Sequence, residues 1–254
     1  MNAISKIIIN SIENNEKINI PEYLKNKMTI SDGYIIQNEI NNFFSINNDF
    51  KGWKIGCTTP VMQEYLGISN PCLGKVLKKN LFEGNTKLKF ENFINPGVEC
   101  EIAVILGDDF NYHNKNQDYE KIISKIVPSI EIVDDRWENY KKENTPVLIA
   151  DNFFSSSIVF GKGVDNIDIN SLKNLKGHME VNNIIVGKGL GKDILDDPIN
   201  ALKWFLEFEF DKTNIPKAGD MISLGSIVKT FWIEKNDTIT IDIEKLGSVQ
   251  AQFI

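Results

Sequence analysis

A run of apolar residues that contains two acids is the feature that most constrains how this chain folds. Residues 95–106 read NPGVECEIAVIL, a composition that predicts a partly buried β-strand. Side chains two positions apart in a strand point to the same face, so Glu99 and Glu101 would lie side by side among apolar neighbours. The two carboxylates would repel each other and lose hydration, at an effective cost on the order of several kcal/mol per ion. The fold must therefore offset this free-energy cost.

A third acid in an apolar setting favours a cation as the means of relief. Glu131 stands between Ile130 and Ile132 in the strand-like segment VPSIEIVDDRW. Three carboxylates on two neighbouring strands would form a facial three-oxygen site, which suits a hard divalent cation such as Mg²⁺. Two alternatives stay open: a carboxylate that remains protonated, or strands at a sheet edge whose glutamates face water.

Two further segments contain polar groups that could act in such a site. Lys54 lies in GWKIG, and a buried lysine near a cation would have a lowered pKa and could transfer protons at neutral pH. Its alternative is an ordinary strand lysine whose ammonium group reaches solvent. Gly225 and Ser226 follow the apolar segment GDMISL, where a turn would offer N–H groups and a hydroxyl to a carboxylate, or be an ordinary turn at the end of a strand.

The order of the elements predicts an α+β chain, with a small helical region ahead of a larger β-rich domain. After a first amphipathic helix, a second is predicted to start at Ser31 as its N-cap. A third is predicted from the cap Thr59 to the stop Gly67. We expect residues 1–72 to form the small, mainly helical region and residues 73–254 the β-rich catalytic domain.

Beyond the third helix the pattern is mainly β. A short helix in YEKIISKIV is predicted ahead of the strand of Glu131, and a strand pair or bent strand in VLIADNFFSSSIVFG. GHMEVNNIIVGKG predicts a hairpin that turns at Asn182 and Asn183, and the alternating C-terminal segment predicts another that turns at Leu246 and Gly247. DPINALKWFLEF predicts one amphipathic helix.

Composition restricts the partners and the compartment. The formal net charge of −7 argues against nucleic acid as the main partner. No apolar stretch approaches the ~20 residues of a membrane span, and the N-terminal apolar core is too short for a signal peptide. Cys57, Cys72 and Cys100 show no C-x-x-C spacing and fit neither a disulfide framework nor a zinc site. We therefore expect a cytoplasmic protein with neither a nucleic-acid nor a membrane partner.

Taken in order, six segments resemble the 2-keto-4-pentenoate hydratase group of the fumarylacetoacetate hydrolase superfamily. They read GWKIGCT, VECEIAVIL, IEIVDDRW, IADN, DPINALKWF and GDMISLGS. The resemblance implies the mixed β-roll or barrel of the fumarylacetoacetate hydrolase C-terminal type, with a small helical N-terminal region. It also implies a homo-oligomer, a dimer or larger.

The resemblance implies a role for each matching residue. Mg²⁺ or Mn²⁺ would be bound by Glu99, Glu101 and Glu131, and the catalytic residues would be Lys54 and Asp151. The residues implied to bind the substrate are Asn152, Ser155, Gly225 and Ser226.

The reaction implied by the resemblance is that of a metal-dependent lyase. A small 2-oxo acid would chelate the metal, which would stabilise an enolate. The leading function is a hydratase of a short unsaturated 2-oxo or 2-hydroxydienoic acid, as in the breakdown of aromatic compounds. The alternatives are a decarboxylase of a 4-oxalocrotonate- or oxaloacetate-like acid, a C–C bond hydrolase of an acylpyruvate, and a silent homologue that binds metal or 2-oxo acid without turnover.

The sequence departs from the group at positions that bear on the substrate. Cys72 stands where an aspartate is common, and DDRW replaces the more usual DSR. Phe153 and Phe154 crowd the segment ADNFFSSS, where hydratases commonly read ADNASSG, and suggest an apolar pocket wall. Hydrolase members rely on a His–Glu pair, but His113 and His178 fall in a predicted loop and hairpin, which disfavours C–C hydrolysis.

Overall fold

The computed structural model describes residues 1–46, 49–114, 116–166, 168–210 and 215–254. Its strands form two mixed sheets, and three of its helices pack together beside the larger sheet. The α+β fold with a curled mixed sheet and a helical N-terminal region is therefore confirmed.

Three helices come before the first strand, and the later helices lie between runs of strands. The helices are α1 (Ala3–Asn14), α2 (Glu22–Lys25), α3 (Ile30–Ser45), α4 (Pro60–Leu66), α5 (Tyr119–Ile122), α6 (Thr145–Ala150) and α7 (Pro198–Glu207). The strands are β1 (Phe50–Gly56), β2 (Cys72–Leu77), β3 (Leu81–Glu83), β4 (Thr86–Leu88), β5 (Pro96–Leu106), β6 (Ile123–Asp134), β7 (Ser155–Phe160), β8 (Lys176–Val181), β9 (Ile184–Leu190), β10 (Met221–Trp232), β11 (Thr238–Ile243) and β12 (Gly247–Phe253).

The larger sheet has the strand order β2-β1-β10-β5-β6-β7-β3. Only β1 with β10 and β3 with β7 pair in parallel, so the sheet is mixed. The smaller sheet, β4-β12-β11-β8-β9, packs against β5, β6 and β10. One face of β5 enters the core between the sheets through Val98, Cys100 and Ile102. The other face of β5 is thereby left for its two glutamates.

The N-terminal helices form a second core with the segment that follows β6. Ile8 of α1, Ile36 of α3 and Leu148 of α6 are buried there around Trp137. The predicted division at residue 72 stays a prediction: β1 precedes it but pairs with β10, which follows it. No helix among the described residues is long and apolar enough to cross a membrane.

Two helix predictions need correction. Helix α3 begins after Thr29, not after Ser31, because Thr29 and Asp32 form a reciprocal capping box that satisfies free N–H groups of the first turn. The segment VLIA, predicted as strand, is part of α6. Asn144 caps that helix by accepting from the N–H of Val147, and Pro146 occupies its first turn, which is a helix-start pattern.

Strand boundaries agree more closely with the sequence. The predicted helix YEKIISKIV shrinks to the four residues of α5, and β6 starts at Ile123. The β8–β9 hairpin turns at Asn182 (φ 52°) and Asn183 (φ 65°), the positive angles of a two-residue turn. The β11–β12 loop is residues 244–246, slightly before the predicted position, because Gly247 already pairs in β12.

The two sheets approach each other closely at a glycine of β9. A Cβ on Gly189 of β9 would lie 1.8 Å from the carbonyl oxygen of Ile227 in β10. Only glycine at this position therefore lets β9 pack so close to the backbone of β10. We expect Gly189→Ala to lower the free energy of unfolding by roughly 1–3 kcal/mol or more, measured by urea denaturation. Gly107→Ala is the control, because its Cβ would lie 3.4 Å from its nearest neighbours. Equal stability of the two variants would contradict this packing.

Candidate active site

The structure brings the three predicted acids together on one face of the larger sheet. Glu99 in β5 is directly opposite Glu131 in β6, and Glu101 is opposite Ser129. One carboxylate oxygen from each glutamate lies within 4.8 Å of the others. The close approach follows from the strand pairing, because opposite residues share a face and residues two apart in one strand do too.

Two hydroxyl groups that the sequence analysis missed hold these carboxylates. The Ser223 hydroxyl donates to Glu101, and the Thr230 hydroxyl donates to Glu99. Both hydroxyls come from β10, the strand that pairs with β5. In the sequence, these hydroxyls belong to polar residues within the otherwise apolar segment MISLGSIVKT. Those polar residues could have been predicted to lie on the same face of the sheet as the glutamates.

The site holds more negative charge than its lysine can balance. Glu101 and Glu131 are each 1% exposed, and Lys54 is 3% exposed, with its Nζ 3.2 Å from Glu131 Oε1. Burial and the neighbouring Glu131 raise the pKa of Glu99 to about 7, and burial raises that of Glu101 well above its usual value. When all three carboxyls are ionised, one ammonium group leaves an excess of negative charge, which a divalent cation would offset.

The donor atoms fit a hard divalent cation. Glu131 Oε1 is buried and, among the described residues, accepts no hydrogen bond despite its ion pair with Lys54. A buried carboxylate oxygen without a hydrogen bond is rare unless it binds a metal or ordered water. The three glutamates supply only oxygen ligands, which Mg²⁺ and Mn²⁺ prefer. Glu99, Glu101 and Glu131 are therefore the residues that would hold the metal.

Lys54 is positioned from both sides of β1. Its neighbour Trp53 packs edge-on against Phe205 of α7, with ring centroids 5.5 Å apart, so the lysine projects from the opposite face. Lys54 Nζ donates to the carbonyl oxygen of Phe153 at 2.8 Å. Gly74 of β2 makes room for the side chain, because a Cβ there would lie 3.0 Å from Lys54 Cγ and Cε.

The pKa of Lys54 is raised in the metal-free protein, so the lowered pKa predicted beside a cation stays a prediction. Burial acts to lower it, but the negative charges of Glu131 and Glu99 outweigh burial. The prediction of a lowered pKa assumed a bound cation, whose positive charge would oppose those carboxylates. In the metal-free protein Lys54 is therefore an ammonium group that partly neutralises the site.

A cavity of about 360 Å³ opens from the glutamates. Lys54, Glu99, Glu101 and Ser226 lie in its wall. The apolar and aromatic side chains in its wall include Met62, Val133, Tyr140, Phe153, Phe154 and Trp232. The site thus joins a charged end to an apolar wall, a combination typical of pockets for small acids with a hydrocarbon part.

Gly225 and Ser226 lie in an irregular part of β10, so the predicted turn at the end of a strand is wrong. Pairing between β10 and β5 shifts register between Ser223 and Ser226, and Gly225 has a φ of 127°. That backbone favours glycine. Ser226 lines the cavity, but its hydroxyl already donates to the carbonyl oxygen of Val228 at 2.6 Å, a bond that a substrate would have to replace.

Asp151, Asn152 and Ser155 are not brought to this cavity. They line a separate cavity, which the N-terminal helices help to form. Asp151 is buried and accepts from Arg136 Nε at 3.0 Å and from the indole N–H of Trp137 at 3.1 Å. Trp137 is thus held by Asp151 in the helical core. The catalytic and binding roles assigned to these three residues stay predictions.

The segment that contains Asn152 still acts on the glutamate cavity through its backbone. Asn152, Phe153 and Phe154 have φ values of 58°, 49° and 64°, three successive positive angles. The Asn152 side chain bonds both the N–H and the carbonyl oxygen of Lys75 in β2, which anchors the turn. This turn presents the Phe153 carbonyl to Lys54 and places two phenyl rings in the cavity wall.

Three other residues singled out in the sequence lie outside this cavity. Cys72 is buried at the start of β2 and lines a different pocket, whereas Cys57 lines the glutamate cavity. His113 is exposed, and His178 pairs with Glu180 at 3.3 Å in β8. Neither histidine lines the glutamate cavity as the described residues define it, so the His–Glu pair of a C–C hydrolase is missing there.

The fold and this acidic site define the class of protein. Residues 88–254 match the family described as fumarylacetoacetate (FAA) hydrolase C-terminal, and the chain belongs to that family.

Curated relatives and a solved structure resemble almost the whole chain. The 2-keto-4-pentenoate hydratase 1 of Dechloromonas aromatica is 29% identical over 236 residues, 91% of this chain and 89% of the relative. The 4-oxalocrotonate decarboxylase of Pseudomonas putida is 27% identical over 234 residues, 90% of this chain and 87% of the relative. The structure of 4-oxalocrotonate decarboxylase from Pseudomonas putida G7, complexed with magnesium and adipate, covers 99% of this chain and 96% of its own, with a TM-score of 0.89 and 25% identity. The resemblance to the 2-keto-4-pentenoate hydratase group is therefore confirmed.

The raised carboxyl pKa values predict how pH changes stabilisation by metal. A carboxyl whose pKa is raised in the fold stabilises it fully only below its unfolded value, and this contribution is lost as pH rises through about 7 for Glu99. Mg²⁺ must displace these protons, so we expect it to raise the melting temperature more at pH 8 than at pH 6. At 100 times its Kd the ion would add about 2.7 kcal/mol of stability.

The Glu101→Gln variant tests the three-glutamate metal site by thermal melting, without an activity assay. It removes one buried charge, so at pH 8 and without metal we expect it to melt at or above the wild-type temperature. Mg²⁺ should then shift its melting temperature little. Glu83→Gln is the matched control, an exposed glutamate of β3 in the same sheet, and should respond to Mg²⁺ like the wild type. An unchanged Mg²⁺ response in Glu101→Gln would contradict the three-glutamate site.

Proposed function

We propose that this protein is a divalent-metal-dependent hydro-lyase, a hydratase of a short unsaturated 2-oxo or 2-hydroxydienoic acid. The observation that carries the proposal is the cluster of Glu99, Glu101 and Glu131 with Lys54 at one end of a cavity that has an apolar wall. Similarity to a 2-keto-4-pentenoate hydratase over most of both chains supports it.

The three glutamates would hold Mg²⁺ or Mn²⁺, in keeping with the magnesium in the related decarboxylase structure. A bound divalent cation supplies Lewis-acid chemistry, which draws electron density from the oxygens of a 2-oxo acid. Ser223 and Thr230 fix two of the carboxylates through their hydroxyls, so the oxygens are oriented before any ligand arrives. This preorganisation limits the rearrangement that binding requires.

Lys54 is the group best placed to bind the acid and move a proton at its Nζ. An ammonium group has three donors; among the described residues the Phe153 carbonyl accepts from one of them, and Glu131 Oε1 lies 3.2 Å away as an ion-pair partner. A substrate oxygen in the cavity would accept from another. Positive charge brought in by a cation would weaken the hold of the carboxylates on the Lys54 proton and so ease its transfer.

The aromatic wall supports a substrate with an unsaturated carbon chain. Phe153 and Phe154 stand where hydratases of this group commonly have small residues, and both line the cavity with Tyr140 and Trp232. They narrow the space beside the charged end and favour apolar contact. Ser226, next to the irregular backbone at Gly225, also lines the cavity, and there we place the polar end of the acid.

A decarboxylase of a 4-oxalocrotonate-like or oxaloacetate-like acid is the second candidate. It is favoured by the similarity to 4-oxalocrotonate decarboxylase in both sequence and structure. The same three glutamates and Lys54 would serve it, since both reactions develop negative charge beside a 2-oxo group. A hydrolase is disfavoured because the described cavity wall has no histidine. A silent binding protein is disfavoured because it would have no reason to keep the buried charges of Lys54, Glu101 and Glu131.

Proton NMR of the purified protein tests the reaction. Mg²⁺ would be added with 2-hydroxypenta-2,4-dienoate, 4-oxalocrotonate, oxaloacetate and an acylpyruvate in separate samples. A metal-dependent hydroxy product supports the hydratase, loss of CO₂ supports the decarboxylase, and two fragments support the hydrolase. No turnover of any acid, with metal bound, would contradict the proposed function.

Two variants test whether turnover depends on the residues of the glutamate site. We expect Lys54→Met to keep metal binding but to lower kcat by about 10²–10⁴-fold, the usual contribution of a positioned proton-transfer group. Its matched control is Lys51→Met, a half-exposed lysine of the same strand that pairs with Asp220 outside the cavity. Glu101→Gln should lose both metal binding and turnover. Unchanged kcat in Lys54→Met would exclude its proposed role.

We also infer a cytoplasmic homo-oligomer. All three cysteines are free, in keeping with a reducing compartment. Exposed apolar side chains on α4 and on the β8–β9 hairpin, among them Val61, Tyr65 and Ile184, support contact between copies. Size-exclusion chromatography with light scattering measures the oligomeric state directly.

A further inference from the structure

A second cavity, of about 310 Å³, is left unexplained by the proposed reaction. Asn41 of α3, Lys75 of β2 and Arg136 after β6 contribute to its wall. So do Asn152 and Ser155, which the sequence resemblance placed at the substrate. None of these five residues lines the glutamate cavity, so the two cavities are distinct.

Two polar groups in this wall have no hydrogen-bond partner among the described residues. Asn41 is 4% exposed and its Nδ2 is unsatisfied, and Ser155 is 8% exposed and its Oγ is unsatisfied. Native structures rarely leave a buried donor without a partner, because the free energy lost on its desolvation is then not recovered. The amide nitrogen of Asn41 can only donate, and the hydroxyl of Ser155 can donate as well. A ligand with hydrogen-bond acceptor atoms would therefore satisfy both groups.

The charges around the cavity point to the same kind of ligand. Three cations (Lys75, Lys79 and Arg136) line it against two acids (Asp134 and Asp151), an excess of one positive charge. Both acids already accept from other groups.

Asp134 accepts from the backbone N–H groups of Ile94 and Asn95, and Asp151 accepts from the side chains of Arg136 and Trp137. Both acids therefore already have hydrogen-bond partners within the fold, whereas the donors of Asn41 and Ser155 have none among the described residues. A group with negatively charged oxygen would satisfy these donors and the excess positive charge together.

The Lys75 side chain is held in place at this wall. Its Nζ lies 3.3 Å from Asn38 Oδ1 and stands over the rings of Phe50 and Trp53, at 5.6 Å and 5.2 Å from their centroids. Its main chain is fixed by the two bonds to Asn152. A cation fixed in this way adds to binding without a large loss of side-chain entropy.

We propose that this cavity is a binding site for a small oxyanion, a carboxylate or phosphate group, held by Asn41 and Ser155 and attracted by Lys75 and Arg136. The site is separate from the glutamate site and does not depend on the proposed reaction. A carboxylate would come from a small organic acid and a phosphate from the inorganic ion. Both present the acceptor oxygens and negative charge that the wall requires.

Isothermal titration calorimetry of the full-length protein in EDTA tests the site, with pyruvate and inorganic phosphate as separate probes. EDTA removes any metal from the glutamate cavity, so heat from that site is suppressed. We expect saturable binding of at least one probe. Asn41→Leu and Ser155→Ala should each weaken its Kd by about tenfold or more, the loss expected when a hydrogen bond to a charged group is removed.

The controls separate the two cavities. Asn42→Leu, at the exposed next position of α3, and Glu101→Gln should bind as the wild type does. Far-UV circular dichroism and thermal melting check the folding of each variant, and Asn41→Leu should melt no lower than wild type because it removes an unsatisfied donor.

Binding of pyruvate alone would identify a carboxylate site, and binding of phosphate alone a phosphate site. No saturable heat from either probe would overturn the proposal. Wild-type affinity in both Asn41→Leu and Ser155→Ala would overturn it as well. So would binding that Lys54→Met abolishes and Asn41→Leu retains, because that heat would come from the glutamate cavity.

Discussion

The mutual repulsion of Glu99, Glu101 and Glu131 is the constraint on which the rest of the structure depends. Strand pairing forces the three carboxylates onto one face, and burial of two of them removes the water that would screen them. Lys54 offsets one charge, and hydroxyls from β10 bind two of the carboxylates. Protonation relieves the remaining charge in the metal-free protein, because burial raises the pKa of Glu99 and Glu101, whereas a bound cation would offset it with the carboxylates ionised. Metal binding, pH and stability are therefore coupled in this fold.

The neighbouring elements serve to hold that cluster in place. The larger sheet buries its other face against the smaller sheet, so its central strands cannot slip without exposing the core. Trp53 anchors β1 against α7, and the turn at residues 152–154 closes over Lys54 with a carbonyl group. The lysine is thereby fixed from two directions.

The N-terminal helices give the fold a second polar interior. They pack on the segment around Trp137, and where α3 meets β2 and β7 they leave a cavity whose polar groups are only partly satisfied. The buried pair of Arg136 and Asp151 lies at this junction. Such a pair adds little net stability compared with apolar packing, but removal of one partner would leave a buried charge, so it fixes how the segments join.

The sequence by itself determined the acidic strand, the third glutamate, Lys54 between its glycines and the Asn182–Asn183 turn. These follow from patterns within one element, where side chains alternate and certain residues tolerate positive φ. Only the tertiary structure decided that Asp151 and Ser155 face a second cavity and that β10 supplies hydroxyls to the glutamates. The positive angles at residues 152–154 and the register shift at Gly225 change which face each side chain takes, and long-range packing sets both.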